Sequence, residues 1–425
     1  MALTITAADA VEILDSRARP TLWVTLTLAD GSMVETGVPA GASTGGGEAV
    51  ELRDHDPQRF GGQGVLGAVA AVRGEIAELL VGRTWPSQAE VDDALCALDG
   101  TDDKHRLGAN AIVGVSMAAA RGFAHQAGLP LYRSLATLPL LDGVAPRIPV
   151  PHFNVVNGGA HAQNALAFQE FMIAPVGAPS IAEAVRAGAE VYAALRARLH
   201  AAGMPTGLGD EGGFAPDLTE PEDACALLVD AIESAGYRPG PDGVMLAMDP
   251  AANGFHDAQG YSVGGRRLSS SEMVDRYQGM VERFPIRLLE DGVAEDDDAG
   301  WRELTARLGG RIELVGDDNF TTNPAVIRQG IADGIANAAL IKVNQIGTVT
   351  QTLEALAVCR QGGYGAFVSH RSGETPDDFI ADLAVASGCG QLKTGAPARG
   401  ERVAKYNRLV LISHRDPQIP YGLTR

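Results

Sequence analysis

The feature that most constrains the fold is the regular recurrence of short apolar segments in the second half of the chain. The segments are VMLAMD (244–249), IRLLED (286–291), IELVGDD (312–318), AALIKVN (338–344), GAFVSHR (365–371) and GQLKTG (390–395). Helix-like stretches separate them, including 270–283, 300–308, 348–361 and 377–387. Alternation of strand and helix is typical of parallel strands joined by crossover helices. The pattern therefore predicts an α/β fold with a modified (β/α)8 barrel of the TIM type.

Each of these apolar segments ends on an ionisable residue. The six residues are Asp249, Glu290, Asp317, Lys342, His370 and Lys393. The carboxyl ends of the strands in such a barrel open onto one face, where the active site lies. We therefore expect these side chains to converge on one site, although a lysine at a single strand end would usually just reach water.

Three of the six residues, Asp249, Glu290 and Asp317, are carboxylates that would repel one another without a cation. Ligation by oxygen alone favours Mg²⁺ or Mn²⁺ over zinc. The alternative is that the acids are protonated or paired in salt bridges. Positive charge from a metal ion and from Lys393, together with burial, would lower the pKa of Lys342. A neutral Lys342 would then be a candidate general base.

Two further segments carry candidate acid–base and anion-binding groups. SHRSGET (369–375) places Arg371 and Ser372 beside the histidine, and an arginine fork with a hydroxyl suits a phosphate. GLGDEGGFAP (207–216) places Glu211 among glycines, which allow close approach to a ligand. On its own, either segment is also compatible with an ordinary polar loop.

The segment 157–175 carries His161 and Glu170. A glutamate pair near a site suggests a general acid whose pKa is raised by its partner. A salt bridge is the alternative for Glu170. The glycine-rich segment PAGASTGGGEAVELRD (39–54), which includes Ser43 and Thr44, is typical of a mobile lid.

The first 135 residues read as a smaller α+β unit. Residues 21–39 alternate apolar and polar side chains around Asp30-Gly31, which predicts a hairpin. Helical patterns follow at 65–82, 88–98 and 110–127, and a segment rich in Leu, Pro and Gly then covers 135–151. We therefore expect an N-terminal capping domain over 1–135 with the mobile loop, and a barrel domain over 145–425 that carries the active site.

The composition of the chain limits the kinds of binding partner and the cellular compartment that we expect. The 425 residues carry a formal net charge of −19, which opposes binding to nucleic acid or to an anionic membrane. No apolar run has the length of a membrane span, and the N-terminus does not read as a signal peptide. Four dispersed cysteines fit reduced thiols. The sequence predicts a cytoplasmic protein that acts on a small molecule.

Short motifs along nearly the whole chain resemble those of enolase. They include LDSR (14–17), GASTG (41–45), ELRD (51–54), LGANAI (107–112), NGGAHA (157–162), QEFMIAP (169–175), GDEGGFAP (209–216), GDD (316–318), IKVNQIGT (341–348), SHRSGET (369–375), KTGAPAR (393–399) and ERVAKYN (401–407). The resemblance implies an α+β domain capping a modified barrel, and a homodimer or an octamer built from dimers. It also implies two Mg²⁺ ions per active site, the second bound with the substrate.

The resemblance also implies roles for individual residues. Asp249, Glu290 and Asp317 match the ligands of the first Mg²⁺, and Ser43 matches the loop ligand of the second. Lys342 matches the base that removes the C2 proton of 2-phosphoglycerate, and Glu211, paired with Glu170, the acid that assists loss of the C3 hydroxyl. The other matches are to residues that bind the substrate or line the site. Arg371 and Ser372 match residues that bind the phosphate, and Lys393 matches the residue that binds the carboxylate. Gln169 and Ser43 match further substrate-binding residues, and His161 and His370 match histidines that line the site.

Several positions near these residues depart from the family pattern. The departures are Ala18-Arg19 for Gly-Asn, Ala40 for Ser, Asn253-Gly254 for Ser-Glu, Gly292 for Pro, Asp298 for Trp and Asn319 for Leu. Two functions therefore stay open: an enolase forming phosphoenolpyruvate from 2-phosphoglycerate, and an enolase-like carboxyphosphonoenolpyruvate synthase of phosphonate antibiotic pathways using an activated phosphonoformate. A non-catalytic protein that kept the fold is the third hypothesis, and the retained site residues oppose it.

Overall fold

The computed structural model describes residues 2–41 and 45–423. The first part of the chain forms a four-stranded antiparallel sheet in the order β3-β2-β1-β4. Its strands are β1 (Leu3–Leu14), β2 (Pro20–Leu28), β3 (Met33–Gly37) and β4 (Thr84–Trp85). The hairpin predicted around Asp30-Gly31 joins β2 to β3 and is confirmed. The strand β1 was not anticipated, because LTITAADAVEIL mixes polar and apolar residues without clean alternation.

Helices pack against this sheet and against one another. They are α1 (Leu66–Ala71), α2 (Ala77–Leu80), α3 (Gln88–Asp99), α4 (Ala109–Ala127) and α5 (Leu131–Leu135). The helix predicted over 65–82 is divided by a π-helical turn, Val72–Ile76, in which Gly74 has the non-helical angles φ −99° and ψ −108°. The helix α4 lies close on β2, since a Cβ added at Gly114 would come within 2.6 Å of a Val24 methyl carbon.

Eight strands close into a barrel in the order β11-β12-β13-β14-β15-β5-β6-β7. The strands that follow β4 are β5 (Val150–Asn157), β6 (Glu170–Ala174), β7 (Met245–Asp249), β8 (His256–Asp257), β9 (Gly260–Val263), β10 (Arg266–Leu268), β11 (Ile286–Glu290), β12 (Glu313–Gly316), β13 (Ala338–Ile341), β14 (Gly365–Ser369) and β15 (Gln391–Lys393). Strands β8 to β10 form a small separate sheet. All six strands predicted from the apolar segments are present, so the predicted fold class is confirmed.

One barrel strand, β6, runs against its neighbours and pairs antiparallel with both β5 and β7. Two helices in succession, α6 (Ile181–Ala201) and α7 (Pro221–Ser234), then connect β6 to β7. The reversal makes the barrel a modified one. It also brings the first residue of β6, rather than the last, to the carboxyl end of the other strands.

The remaining helices surround the barrel. They are α8 (Ser270–Arg283), α9 (Asp298–Leu308), α10 (Pro324–Asp333), α11 (Val343–Ile346), α12 (Val349–Gln361), α13 (Phe379–Ser387) and α14 (Gly400–Arg415). Short 3₁₀ turns cover Phe60–Gly62, Pro139–Leu141, Gly159–His161 and Ala252–Phe255. A sequence signal marks the start of α8, where Ser269 and Glu272 form a reciprocal capping box.

The interior of the barrel is filled rather than open. A cluster of fully buried side chains occupies it: Met172, Ala247, Leu288, Val315, Ala338, Leu340 and Phe367. Beside it lies a polar group in which Arg287 binds His152 at 2.6 Å and Glu313 at 2.8 Å. Across the described ranges, none of the helices combines the length and apolarity required to span a bilayer.

Candidate active site

A small polar pocket lies at the carboxyl end of the barrel, and strand ends supply its walls. Asp249 and Glu290 are the last residues of β7 and β11, and Lys393 is the last residue of β15. Asp317, Lys342 and His370 each follow directly after a strand. Five of these six side chains line the pocket, whereas Glu290 is fully buried and contacts Lys393. The convergence expected from the six segments is therefore present in the structure.

Glu170 reaches the same pocket by a different route. It is the first residue of the reversed strand β6, where it pairs in register with Asp249. His161 ends a 3₁₀ turn in the loop before that strand, and Glu211 lies in the loop between α6 and α7. All three side chains are buried, with 4 % or less of their surface exposed.

His161, Glu170 and Glu211 form a compact cluster, with one ligand atom from each lying within 4.8 Å of the others. Burial and the Glu211 charge raise the pKa of Glu170 well above its ordinary value. Burial would also raise the pKa of Glu211, but His370 and His161 outweigh it and hold that pKa well below normal. The glutamate pair expected from the sequence is present, and its more basic member is Glu170.

Lys342 makes a short ion pair, with its Nζ 2.5 Å from Asp317 Oδ2. The other oxygen of Asp317 accepts a hydrogen bond from Gln345 Nε2 at 2.9 Å. Burial alone would lower the pKa of Lys342, but the Asp317 carboxylate raises it overall, despite repulsion from Arg371 and Lys393. Asp317 serves as the lysine's partner here, and the expectation of a lowered lysine pKa beside a bound metal ion stays a prediction.

Lys393 bridges the barrel from one side to the other. Its Nζ lies 2.7 Å from Glu290 Oε2, 3.3 Å from Glu170 Oε2 and 3.6 Å from Asp249 Oδ2. Burial opposes the ammonium, but these carboxylates raise the pKa of Lys393 well above its ordinary value. The salt-bridged alternative for the acids is therefore realised in part, by the two lysines.

A second acidic cluster suits a hard cation. One oxygen from each of Asp291, Asp317 and Asp318 lies within 4.8 Å of the others. Burial and Asp317 raise the pKa of Asp318 to about 7, and burial and Asp318 raise that of Asp291. Mutual repulsion of this kind is relieved by a divalent ion, and the donors are all carboxylate oxygens. The residues present therefore fit Mg²⁺ or a similar ion.

The sequence analysis missed two members of this acidic cluster, Asp291 and Asp318. The signal was available, because each directly follows a predicted ligand in an acidic doublet (290–291 and 317–318). Asp291 also has a structural task, since its carboxylate accepts the backbone N–H groups of Asp317 at 2.8 Å and Asp318 at 3.1 Å. It thereby fixes the turn that presents Asp317 to the pocket.

The two residues of the predicted anion clamp, Arg371 and Ser372, line the pocket. Arg371 donates to Asn344 Oδ1 at 2.9 Å and pairs with Glu48 Oε2 at 2.9 Å, so the glycine-rich segment reaches the clamp. The hydroxyl of Ser372 lies 3.1 Å from His161 Nε2. Gln169 lines the same pocket. Ser43 and Thr44, the expected tip of the lid, lie outside the described residues.

Among the sequence departures, Asn253 is the one whose side chain is hydrogen-bonded to a pocket carboxylate. Its Nδ2 donates to Asp318 Oδ2 at 2.9 Å, and its Oδ1 accepts the Glu295 N–H at 2.8 Å. The carbonyl of Gly292 accepts the Tyr277 hydroxyl at 2.8 Å, outside the pocket. Asp298 is an exposed helix residue that pairs with Arg302. These contacts leave the carboxylates and lysines of the pocket in place.

The fold and the pocket define an acid–base enzyme suited to a divalent metal. The closed barrel brings together acidic clusters, two lysines and a glutamate pair. Two family models match the chain: "Enolase, N-terminal domain" over residues 5–135 and "Enolase, C-terminal TIM barrel domain" over residues 145–416. A curated protein named enolase, from Rubrobacter xylanophilus, is 54% identical over 410 residues, covering 96% of this chain and 94% of the relative. The chain belongs to the enolase family and is an enolase-family lyase. These comparisons do not favour the phosphonate-pathway alternative.

Proposed function

We propose that this lyase converts 2-phosphoglycerate to phosphoenolpyruvate and water in a Mg²⁺-dependent reaction. The observation that carries the proposal is the placement of a lysine and a glutamate pair on opposite sides of one pocket. Lys342 follows β13 and Glu170 begins β6, and these strands are four places apart in the ring of eight. A substrate between them presents one carbon to a base and the adjacent carbon to an acid.

The metal ligands in this proposal are Asp249, Glu290 and Asp317, with Ser43 for a second ion that arrives with the substrate. The acidic pocket and the name of the Rubrobacter relative support a divalent metal. When bound, the ions would neutralise the carboxylates and stabilise negative charge on the substrate carboxylate. Lys393, with its raised pKa, stays positively charged and binds that carboxylate.

The proton at C2 is taken by the neutral amine of Lys342. The ammonium of Lys342 is favoured by Asp317 and disfavoured by Arg371, Lys393 and burial. Neutralising the charge of Asp317 therefore shifts this balance toward the neutral amine. The electron pair of the C2–H bond is left on the substrate, where it can form the C2–C3 double bond.

Loss of the C3 hydroxyl completes the reaction. The C3–O bond breaks, its electrons leave with oxygen, and a proton from the glutamate pair converts the leaving group to water. Glu211 is the proposed donor, and it takes its proton from the neighbouring Glu170, which its raised pKa keeps protonated. Arg371 and Ser372 would hold the phosphate, while Gln169, His161 and His370 line the site.

The assembly and the compartment are part of the proposal. We expect a homodimer, or an octamer built from dimers, as the family resemblance implies. The cysteines are free thiols, three of them buried, which suits a cytoplasmic enzyme. The partner is a small phosphorylated acid, and the net charge of −19 opposes nucleic acid and membrane surfaces.

The direct test is to incubate the purified protein with Mg²⁺ and 2-phosphoglycerate and to follow phosphoenolpyruvate by its ultraviolet absorbance. We expect product to form, to stop after chelation and to resume when Mg²⁺ is restored. A Lys342→Arg variant is the matched control, because its guanidinium keeps the positive charge but does not act as a base. Absence of product from the folded, Mg²⁺-loaded protein would contradict the proposed function.

A further inference from the structure

A buried arginine outside the pocket contacts one of the histidines that line it. Arg402, in the first turn of α14, is fully buried, and its Nη1 lies 2.5 Å from His370 Nδ1. The same guanidinium donates to the backbone carbonyls of Arg371 and Ser372, each at 2.6 Å. Arg402 lies in the ERVAKYN motif (401–407), to which no role was assigned above, and the reaction chemistry does not require an arginine at this position.

The contact decides where His370 carries its proton. A guanidinium has only donors, so His370 Nδ1 accepts the hydrogen bond and is unprotonated. The proton of the neutral ring is therefore on Nε2, which lies 3.2 Å from Glu211 Oε2. Burial and Arg402 both disfavour the imidazolium, and the pKa of His370 falls to about 4.

Glu211 thus accepts hydrogen bonds from two fixed donors. Asn154 Nδ2 lies 3.0 Å from Glu211 Oε2, and the His370 Nε2–H points to the same oxygen. Hydrogen bonds to a carboxylate favour its ionised form.

We propose that Arg402 is a positioning residue that fixes the tautomer of His370 and thereby holds the His370 Nε2–H hydrogen bond on Glu211. Without Arg402, the ring could carry its proton on Nδ1 and offer a lone pair to Glu211. Two acceptors would then face each other, and their repulsion would displace the Glu211 carboxylate from its position. Arg402 also donates to the backbone carbonyls of Arg371 and Ser372. Its replacement would therefore affect the anion clamp separately from the tautomer of His370.

The first test reads the tautomer directly and does not depend on activity. Protein labelled with ¹⁵N-histidine, and assigned with a His370→Gln variant, should show His370 protonated at Nε2 and unprotonated at Nδ1. In Arg402→Met we expect protonation to appear at Nδ1. Arg402→Lys, which keeps a cationic donor, should preserve more of the original tautomer. Arg408→Met, on the same helix and paired instead with Asp382, should leave it unchanged. An unaltered tautomer in folded Arg402→Met would overturn the proposal.

The second test rests on the proposed function and uses 2-phosphoglycerate. Arg402→Met should lower kcat for loss of water by on the order of 100-fold, the usual value of positioned acid catalysis. Exchange of the C2 proton with deuterated solvent should continue, and weakening of the clamp would appear in KM alone. In a His370→Gln background, whose amide donates without a choice of tautomer, Arg402→Met should cost far less in kcat. Equal losses in both backgrounds would overturn the proposal.

The two tests separate the possible failures. A protein inactive toward 2-phosphoglycerate, with its tautomer still controlled by Arg402, would contradict the proposed function and support the positioning role. If Arg402→Met does not fold, the tautomer of His370 in the unmodified protein decides the question. Protonation of His370 at Nδ1 rather than Nε2 in that protein would overturn the proposal.

Discussion

Lys342 and Glu170 stand on opposite sides of the barrel mouth, because β13 and β6 are separated by three strands in either direction around the ring. Lys342 reaches the mouth from the end of a parallel strand, whereas Glu170 reaches it from the beginning of the reversed one. In the proposed reaction, a base and an acid placed in this way act on two adjacent carbons of one bound molecule. This relationship also divides the reaction into steps that substitutions can separate.

Replacing Lys342 by Ala should stop exchange of the substrate C2 proton with deuterated solvent, with a loss of about 10²- to 10⁴-fold. Glu211→Gln should spare this exchange while blocking loss of the C3 hydroxyl. Nuclear magnetic resonance of recovered 2-phosphoglycerate measures the exchange, and phosphoenolpyruvate formation measures the second step. Identical exchange behaviour in the two variants would show that the division of roles is wrong.

Replacing Asp317 by Asn should weaken Mg²⁺ binding by more than about 100-fold, since even outer partners of metal ligands are worth that much. The barrel should remain folded, because Asp317 lies at its mouth. Calorimetric titration measures the affinity, and circular dichroism checks the fold. Asp333→Asn, at the exposed end of α10, is the matched control and should bind Mg²⁺ normally. Normal affinity in Asp317→Asn would remove this residue from the metal site.

The glutamate pair should give opposite pH effects on stability in chelated protein. The pKa of Glu170 is raised on folding from its ordinary 4.5, so its stabilising contribution is present below that pH and is lost as pH rises through the folded value. Because glutamine does not titrate, Glu170→Gln should gain in melting temperature relative to the unmodified protein as pH rises above about 4.5. Each unit of pKa shift corresponds to about 1.4 kcal/mol.

Glu211 should behave in the opposite sense. Its folded pKa lies below the ordinary 4.5, so its contribution is present above that value and is lost as pH falls through the folded pKa. Glu211→Gln should therefore be less stable than the unmodified protein near neutral pH, and the deficit should shrink in acid. Thermal melts from about pH 2 to about pH 8 measure both variants. Parallel trends in the two series would contradict the proton placement.

Ala18 occupies the left-handed region in the turn between β1 and β2, with φ +57°, where the family pattern has glycine. The left-handed conformation is strained for alanine, so Ala18→Gly should stabilise the protein by about 0.5 to 1 kcal/mol despite the added chain entropy. Chemical denaturation measures the change. Ala202→Gly, at an exposed position with φ −81°, is the matched control and should be neutral or destabilising. A loss of stability in Ala18→Gly would refute the strain argument.

The sequence predicts the barrel well because charge follows each buried apolar segment, as at Asp317 and Lys342. It does not reveal the reversal of β6, since a fully buried strand such as Glu170–Ala174 has the same residue pattern in either direction. The direction of the Lys342 pKa shift is also beyond sequence reasoning, because it depends on a 2.5 Å contact with Asp317. Arg402 is distant in sequence from His370, and only the packing of α14 against the clamp segment brings them together.

The reversal of β6 has a practical consequence for protein engineering. In an ordinary barrel the segment that follows a strand's last residue belongs to the chemical face, and a graft there endangers activity. Here the turn after Ala174, residues 176–179, lies at the other end of the barrel and is partly exposed. A peptide tag or a reporter domain inserted in this turn should leave turnover intact, whereas the same graft in the segment 162–168, ahead of β6, should abolish it.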